Sequence, residues 1–174
     1  MEAQKAGERG EVPVGAVVVC KDRIIARAHN LTETLTDVTA HAEMQAITAA
    51  AATLGGKYLN ECTLYVTVEP CVMCAGAIAW AQMGRLVFGA EDEKRGYQRY
   101  APKALHPKTA VVKGVLADEC AALMKIFIPS ESGSRDEAEE KVKRNLEEAL
   151  EEHDQRIINI FDVEIVPLLQ WNEE

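Results

Sequence analysis

The sequence predicts an α/β fold, a three-layer α/β/α sandwich with a central mixed sheet of about five strands. Segments rich in β-branched residues alternate with alanine-rich segments of helical length over residues 12–127, a pattern typical of a sheet covered by helices on both faces. Hydrophobic residues make up 48% of the 174 residues, enough for one substantial domain with a real core. An added C-terminal amphipathic helical segment is expected to follow this domain.

The first elements are two strands and a helix. Residues 12–20 and 23–30 are rich in β-branched residues, and Lys21-Asp22 between them predicts a hairpin turn. Residues 39–54 are rich in Ala, Met and Gln, begin with Thr39 in a capping position and end at a Gly-Gly pair, so they predict a helix.

The remaining elements continue the alternation. Residues 62–69, CTLYVTVE, form a nearly continuous apolar run that indicates a buried strand. Pro70 favours the start of a helix directly after it. The later predictions are a helix at 71–83, a strand at 85–91, a polar loop at 92–108, a strand at 109–116 and a helix at 117–127.

The charge divides the chain into two parts. Residues 1–129 hold 14 basic and 14 acidic side chains, whereas residues 130–174 hold 5 basic and 14 acidic ones, which accounts for the whole net charge of −9. The sequence PSESGS between them is typical of a linker. We therefore predict a domain at 1–128, a linker at 129–134 and an acidic tail at 135–174.

The tail is predicted to contain an idealised amphipathic helix. Its apolar line and the apolar run that follows must pack on something, so we expect the tail to cover the domain or a partner subunit. The tail looks like engineered or grafted sequence. The apolar line consists of Val142, Leu146, Leu150, Ile157 and Phe161.

The sequence argues against a secreted, a membrane-spanning or a disulfide-rich protein. The N-terminal residues contain no apolar region of a secretory signal, and no run of 18 uncharged apolar residues predicts a membrane span. The five cysteines are an odd number, which favours a reducing, cytoplasmic compartment over a disulfide framework.

Two cysteines carry the chemical signal. Cys71 and Cys74 lie three residues apart at the start of a predicted helix, where backbone N–H groups favour thiolates. His41 in the first turn of the earlier helix would supply a third ligand, with Glu43 two residues on. A Cys-x-x-Cys pair is also found in structural zinc sites and redox sites. A structural zinc needs four protein ligands, however, and no second such pair exists here.

The pattern H-x-E…P-C-x-x-C is the signature of zinc nucleobase deaminases. The chain resembles the cytidine deaminase-like superfamily and, within it, is most similar to bacterial tRNA adenosine deaminases and their free-base and nucleoside deaminase relatives. The resemblance covers residues 2–127 and rests on EVPVGAVVV (11–19), AHN (28–30), TAHAEMQAI (39–47), LYVTVEPCVMCAGAI (64–78), VFGAED (87–92) and GVLADECAALM (114–124).

The resemblance implies a site. His41, Cys71 and Cys74 are implied as ligands of Zn²⁺, and Glu43 as the proton shuttle. The backbone N–H of Ala42 and the side chain of Asn30 are implied as substrate contacts, although Asn30 can also be interpreted as a cap at the end of a strand. The family's N-terminal helix is reduced here to the stub MEAQKAGERG.

The predicted loop suggests the substrate class. Basic and aromatic side chains alternate there, which suits phosphates and stacked bases, although a solvated loop has the same composition. These side chains are Lys94, Arg95, Tyr97, Arg99, Tyr100, Lys103 and Lys108.

Three functions are consistent with the sequence. The first is a deaminase that converts adenosine to inosine in RNA, possibly single-stranded. The second is a deaminase of a free base or nucleoside, such as guanine or cytosine. The third is an engineered binding or switching protein governed by its tail. A homodimer is expected, and no membrane partner.

Overall fold

The computed structural model describes residues 2–127, which form a five-stranded mixed sheet in the order β2-β1-β3-β4-β5. Strand β1 is antiparallel to β2 and β3, whereas β3, β4 and β5 are mutually parallel. The predicted mixed sheet is confirmed. The strands are β1 (Gly15–Cys20), β2 (Arg23–His29), β3 (Cys62–Val68), β4 (Arg85–Ala90) and β5 (Ala110–Lys113).

The strand directions bring several chain segments to one edge of the sheet. Because β1 is antiparallel to both of its neighbours, β2 points the same way as β3, β4 and β5. The C-terminal ends of these four strands therefore share one edge, which we call the carboxyl edge, and the N-terminal end of β1 lies there too. Ligand sites in sheets of this kind typically lie outside the carboxyl ends of the strands.

Helices cover both faces of the sheet. Ala16 and Val18 of β1 pack in the same cluster as Ala46 and Ile78 of two helices. Val17 points the opposite way and packs with the first and last helices, as the alternation of side chains along a strand requires. The predicted three-layer arrangement is confirmed. The helices are α1 (Glu2–Glu8), α2 (Ala42–Leu54), α3 (Val72–Trp80), α4 (Tyr97–Tyr100) and α5 (Ala117–Phe127).

Two predicted turns have the expected backbone. Lys21 and Asp22 have φ of 49° and 58°, and two consecutive residues with positive φ form the turn that matches the twist of a two-residue hairpin. Gly55 ends α2 with φ of 67°, and its N–H donates to carbonyls of the last turn.

Some predicted boundaries were wrong. Helix α2 begins at Ala42 rather than at Thr39 because Asp37 accepts hydrogen bonds from both the N–H and the hydroxyl of Thr39 and holds it in a turn. Helix α3 ends at Trp80 before Gln82, which has a φ of 51°. Strand β5 covers only Ala110–Lys113, since Gly114 turns the chain with φ of 79°. The predicted polar loop contains the single turn α4.

The N-terminal stub is long enough to form α1. This helix packs closely on β1, since a Cβ at Gly15 would lie 2.5 Å from the backbone nitrogen of Ala3. The buried Glu2 accepts a hydrogen bond from Lys5 at 2.8 Å and lies 2.9 Å from Nδ1 of His29. Helix α1 thus occupies the face of the sheet that it shares with α5.

The predicted linker at 129–134 and the predicted tail at 135–174 lie outside the described residues. The structure therefore does not test the prediction that the tail is engineered. Within residues 2–127 no helix is both long and apolar enough to cross a membrane.

Candidate metal centre

Two helices begin at the carboxyl edge with a metal-ligating side chain at the N-cap. His41 is the N-cap of α2, and Cys71 is the N-cap of α3, both with extended backbone. His41 was predicted in the first helical turn and lies one position before it. Cys74 is buried in the first turn of α3. The chain therefore brings the three predicted ligands together from two strand-to-helix connections.

The spacing of these side chains fits one metal ion. Nδ1 of His41 lies 3.5 Å from Sγ of Cys74 and 3.8 Å from Sγ of Cys71, and the three donor atoms lie within 4.8 Å of one another. Zn–N and Zn–S bonds of about 2.0–2.3 Å in a tetrahedral site place donor atoms at about this separation. Within the described part of the chain no fourth protein donor joins the group, which argues against a closed structural site.

The electrostatics of the group favour a thiolate. A hydrogen bond from Cys74, together with the neighbouring His41, lowers the pKa of Cys71 to about 4 against the effect of burial. The same contact and burial raise the pKa of Cys74. The pKa of His41 is raised, chiefly by its hydrogen bond with Cys71. Thiolate sulfur and imidazole nitrogen are ligands that suit zinc.

Glu43 lies beside the ligands without being one of them. It follows His41 by two residues in the first turn of α2, and its side chain is 3% exposed. Burial raises the pKa of its carboxyl, which is also within hydrogen-bonding reach of Cys74. A buried carboxyl with a raised pKa is suited to proton transfer near neutral pH.

Asn30 and Ala42 contact each other. Oδ1 of Asn30 accepts a hydrogen bond from the backbone N–H of Ala42 at 2.8 Å, and the Asn30 side chain is 5% exposed. This bond joins the end of β2 to the start of α2, next to His41. The Ala42 N–H, which was predicted to contact the purine, is thus occupied by Asn30 in this structure.

Two further carboxylates at the carboxyl edge were missed by the sequence reasoning. Glu11 is fully buried and accepts hydrogen bonds from Thr32 Oγ1 and from the backbone N–H groups of Glu33 and Thr34. Although burial acts to raise the pKa of Glu11, these donors lower it to about 2. The sequence offered one signal for Glu11, namely a charged residue directly before the apolar run that contains β1.

Glu69 is the second of these carboxylates. It is 6% exposed and accepts hydrogen bonds from the N–H groups of Asp92 and Gln98. It stands at the end of the apolar run CTLYVTVE, directly before Pro70, which was the signal in the sequence. Both carboxylates therefore hold loops beside the candidate metal centre.

The cation- and tyrosine-rich part of the predicted loop at 92–108 follows β4 at the carboxyl edge. One of its two tyrosines is not available to contact a base. Tyr97 is 4% exposed and packs in the core, so its ring is unable to stack on a base. Tyr100 is 62% exposed. The cations are exposed, namely Lys94, Arg95, Arg99, Lys103 and Lys108.

The other three cysteines are not part of the candidate metal centre. Cys20 and Cys62 are far apart in the sequence, but they stand directly opposite each other on β1 and β3. Burial and the neighbouring Cys20 raise the pKa of Cys62 to about 12. Cys120 is buried on α5, and burial raises its pKa to about 12. All three are free thiols.

Comparison with known proteins supports the predicted resemblance. The model of the MafB19-like deaminase family matches residues 1–149. The chain is similar to the tRNA-specific adenosine deaminase of Bacillus subtilis (strain 168), with 47% identity over 131 residues that cover 72% of this chain and 81% of the relative. The tRNA-specific adenosine deaminase of Agrobacterium fabrum is 44% identical over 73% of this chain and 87% of its own.

The chain is also similar to solved structures of deaminases. A structure from studies of A-to-I editing by tRNA:A34 deaminases has a TM-score of 0.66 and 45% identity, covering 70% of this chain and 92% of its own. A guanine deaminase from Bacillus subtilis is 42% identical, with a TM-score of 0.50 over 52% of this chain and 58% of its own.

Proposed function

Because the chain belongs to the MafB19-like deaminase family, we propose that it is a zinc-dependent hydrolytic deaminase that converts adenosine to inosine in RNA of the tRNA type. One observation carries the chemistry. The buried Glu43 carboxyl lies beside the group formed by His41, Cys71 and Cys74. The choice of substrate follows from relatives that are tRNA-specific adenosine deaminases.

The residues divide the work between binding and proton transfer. His41, Cys71 and Cys74 would hold the zinc and leave one position for water. Bound zinc supplies Lewis-acid activation, which lowers the pKa of that water. Glu43 accepts a proton as the water oxygen bonds to the amino-bearing ring carbon. Glu43 delivers this proton to a ring nitrogen, then takes the second proton from the hydroxyl group formed on that carbon and passes it to the amino group, which leaves as ammonia when the C–N bond breaks.

Asn30 and Ala42 are proposed to orient the base. The Oδ1 atom of Asn30 is bound to the Ala42 N–H, so the amide nitrogen of Asn30 is the group that we assign to the base or ribose. A contact between the Ala42 N–H and the purine would require this N–H to exchange Asn30 for the substrate. Both groups are buried next to His41, where a ring held by them would meet Glu43.

Ammonia release across a panel of substrates tests the function. We expect turnover on an anticodon stem-loop RNA that contains adenosine, with little on single-stranded DNA, guanine, adenosine or cytidine. Inosine in the product RNA, detected by mass spectrometry, should appear in proportion to the ammonia. Turnover on a free base with none on the RNA would overturn the substrate assignment.

A free-base deaminase is the second candidate. Guanine deaminases share the fold, and one is 42% identical to this chain. The same zinc ligands and Glu43 serve either reaction, so only the substrate distinguishes the two. Guanine in the panel above makes that distinction directly.

Neutralising three cations should weaken RNA binding. Arg95, Arg99 and Lys103 are exposed, and Arg95 precedes Gly96, which pairs with Cys71 of the candidate metal centre. Each phosphate contact releases counterions on binding. We expect the variant with glutamine at all three positions to have a lower affinity for RNA. The slope of log K against log salt concentration should become shallower by up to about 0.7 for each lost contact with single-stranded RNA. The low activity expected on a nucleoside should stay unchanged. An unchanged salt slope would favour the free-base function.

We also propose a homodimer that uses one face of α3. Val72, Met73 and Trp80 are 41%, 37% and 86% exposed on one side of this helix, and Gly76 between them leaves open space. An exposed apolar stripe of this kind typically marks a protein interface.

Trp80→Glu should therefore shift the chain from dimer to monomer in analytical ultracentrifugation. Val38→Glu is the matched control, because Val38 is 84% exposed and lies outside this face. A wild-type chain that sediments as a monomer would refute the dimer.

The cellular setting follows from the substrate. A tRNA substrate would place the enzyme in the cytoplasm, where free thiols stay reduced. All five cysteines are free thiols in this structure. A binding or switching role of the tail at 135–174 stays a prediction.

A further inference from the structure

We propose that Glu69 is a positioning residue that fixes the segment 91–100 beside the candidate metal centre, so that the exposed cations of this segment form a preformed surface for RNA phosphates. This inference rests on the proposed function for its substrate. Its structural part concerns only the residues of this chain.

The carboxylate of Glu69 ties both ends of the segment. The Glu69 N–H donates to the carbonyl of Ala90 at 2.8 Å, which places Glu69 between the ends of β3 and β4. Oε2 accepts the N–H of Asp92 at 3.0 Å, and Oε1 accepts the N–H of Gln98 at 2.9 Å. One buried side chain thus sets the distance between two points of the segment that are six residues apart.

The middle of the segment is held against a zinc-ligand residue. Gly96 pairs with Cys71 as an isolated bridge, and the N–H of Tyr97 donates to the carbonyl of Pro70 at 3.0 Å. A Cβ at Gly96 would lie 2.4 Å from Cδ of Glu69. Any side chain at position 96 would therefore push the segment away from Glu69.

Further hydrogen bonds close the segment on itself. Oδ1 of Asp92 accepts the N–H groups of Lys94 and Arg95. The Arg99 guanidinium donates to the carbonyl of Glu93 at 2.7 Å, and the Tyr100 hydroxyl donates to the carbonyl of Lys94 at 2.9 Å. Cations that are ordered before binding lose less conformational entropy when a ligand engages them.

The chemistry of the tie is specific to a carboxylate. Both Glu69 oxygens accept backbone N–H groups, and an ionised carboxylate is an acceptor only. Glutamine has nearly the same shape but offers one oxygen, and its NH₂ group would face a second N–H donor. Glu69→Gln should therefore release one of the two points while it preserves packing.

The test compares three single variants of the full chain loaded with zinc. Glu69→Gln weakens the hydrogen bonds from the Glu69 side chain to the segment. Gly96→Ala places a Cβ against the Glu69 carboxylate. Glu91→Gln is the matched control, because it removes the same charge from an exposed ion pair with Lys113. The measurements are trypsin cleavage after Lys94, Arg95 and Arg99, zinc content, and anisotropy-based affinity for an anticodon stem-loop RNA.

We expect both test variants to be cleaved faster than the control and to bind the RNA about tenfold more weakly, the equivalent of one lost charge-assisted hydrogen bond. Zinc content should stay at the wild-type level. Unchanged cleavage would overturn the positioning role whether or not the chain binds RNA. Faster cleavage with undiminished RNA affinity would overturn the link to RNA. A wild-type chain that binds no RNA would instead refute the proposed substrate.

A second measurement separates positioning from general stabilisation. If Glu69 acts through the cations of the segment, Glu69→Gln should cost no further RNA affinity in a chain that already lacks Lys94, Arg95 and Arg99. A loss of affinity as large as in the wild-type background would show that Glu69 acts by another route.

Discussion

Replacing Glu43 with alanine is expected to abolish deamination while zinc stays bound. Glu43 is buried next to the ligands but supplies no donor atom to their group. General acid–base catalysis contributes about 10²–10⁴-fold, and Glu43 acts in both halves of the proposed proton transfer. We therefore expect a loss of at least about 10³-fold in kcat. Metal content by inductively coupled plasma mass spectrometry should match the wild type.

Two companion variants make the Glu43 result interpretable. Glu43→Gln keeps the volume of the buried side chain and should lose as much activity as Glu43→Ala, which would exclude a packing defect. Glu61→Ala removes an exposed glutamate that forms a salt bridge with Lys21, and its activity should stay at the wild-type level. Ordinary turnover by a zinc-loaded Glu43→Ala enzyme would refute the proton-shuttle role.

Cys71→Ser and Cys74→Ser are expected to lose zinc, activity and thermal stability together. A ligand that binds only the native state stabilises it by about 2.7 kcal/mol at 100 times its dissociation constant. For a chain of this size each kcal/mol corresponds to roughly 2–4 °C in Tm. We therefore expect both variants to melt at least about 5 °C below the zinc-loaded wild type.

The matched control for the cysteine variants is Cys62→Ser. Cys62 is 2% exposed, close to the full burial of Cys74, so this change also places a hydroxyl in a buried site. Cys62→Ser should keep stoichiometric zinc and activity, although its Tm can fall. A chelator should lower the Tm of the control and leave the Tm of Cys71→Ser and Cys74→Ser unchanged. Stoichiometric zinc in either ligand variant would refute the ligand set.

The candidate metal ligands could be predicted from the sequence because the geometry within each of the two motifs is local. Cys71 and Cys74 are separated by one helical turn, and Glu43 follows His41 by two residues, so short-range backbone geometry places each pair. The alternation of apolar segments likewise predicted the strand and helix order, since burial on a sheet follows the period of the side chains. The identities and spacing of these residues carry the information by themselves.

Element boundaries were less predictable because side chains that compete for backbone N–H groups shift them. Thr39 is a good capping residue by type, yet the neighbouring Asp37 binds it in a turn and His41 becomes the N-cap. The burial of Tyr97 was also not predictable from the sequence. A polar, cation-rich stretch gave no periodic signal that one ring packs in the core.

The sequence by itself determined the α/β class, the order of the strands along the chain and the residue types of the candidate metal centre. Only the tertiary structure decided which groups surround that centre. Asn30 reaches Ala42 across 12 residues, and Glu69 reaches Asp92 and Gln98 across 23 and 29. These partners meet because the mixed sheet brings the ends of β2, β3 and β4 to one edge. Contacts between residues far apart in the chain depend on strand order and register in the sheet, which the spacing within a single motif does not specify.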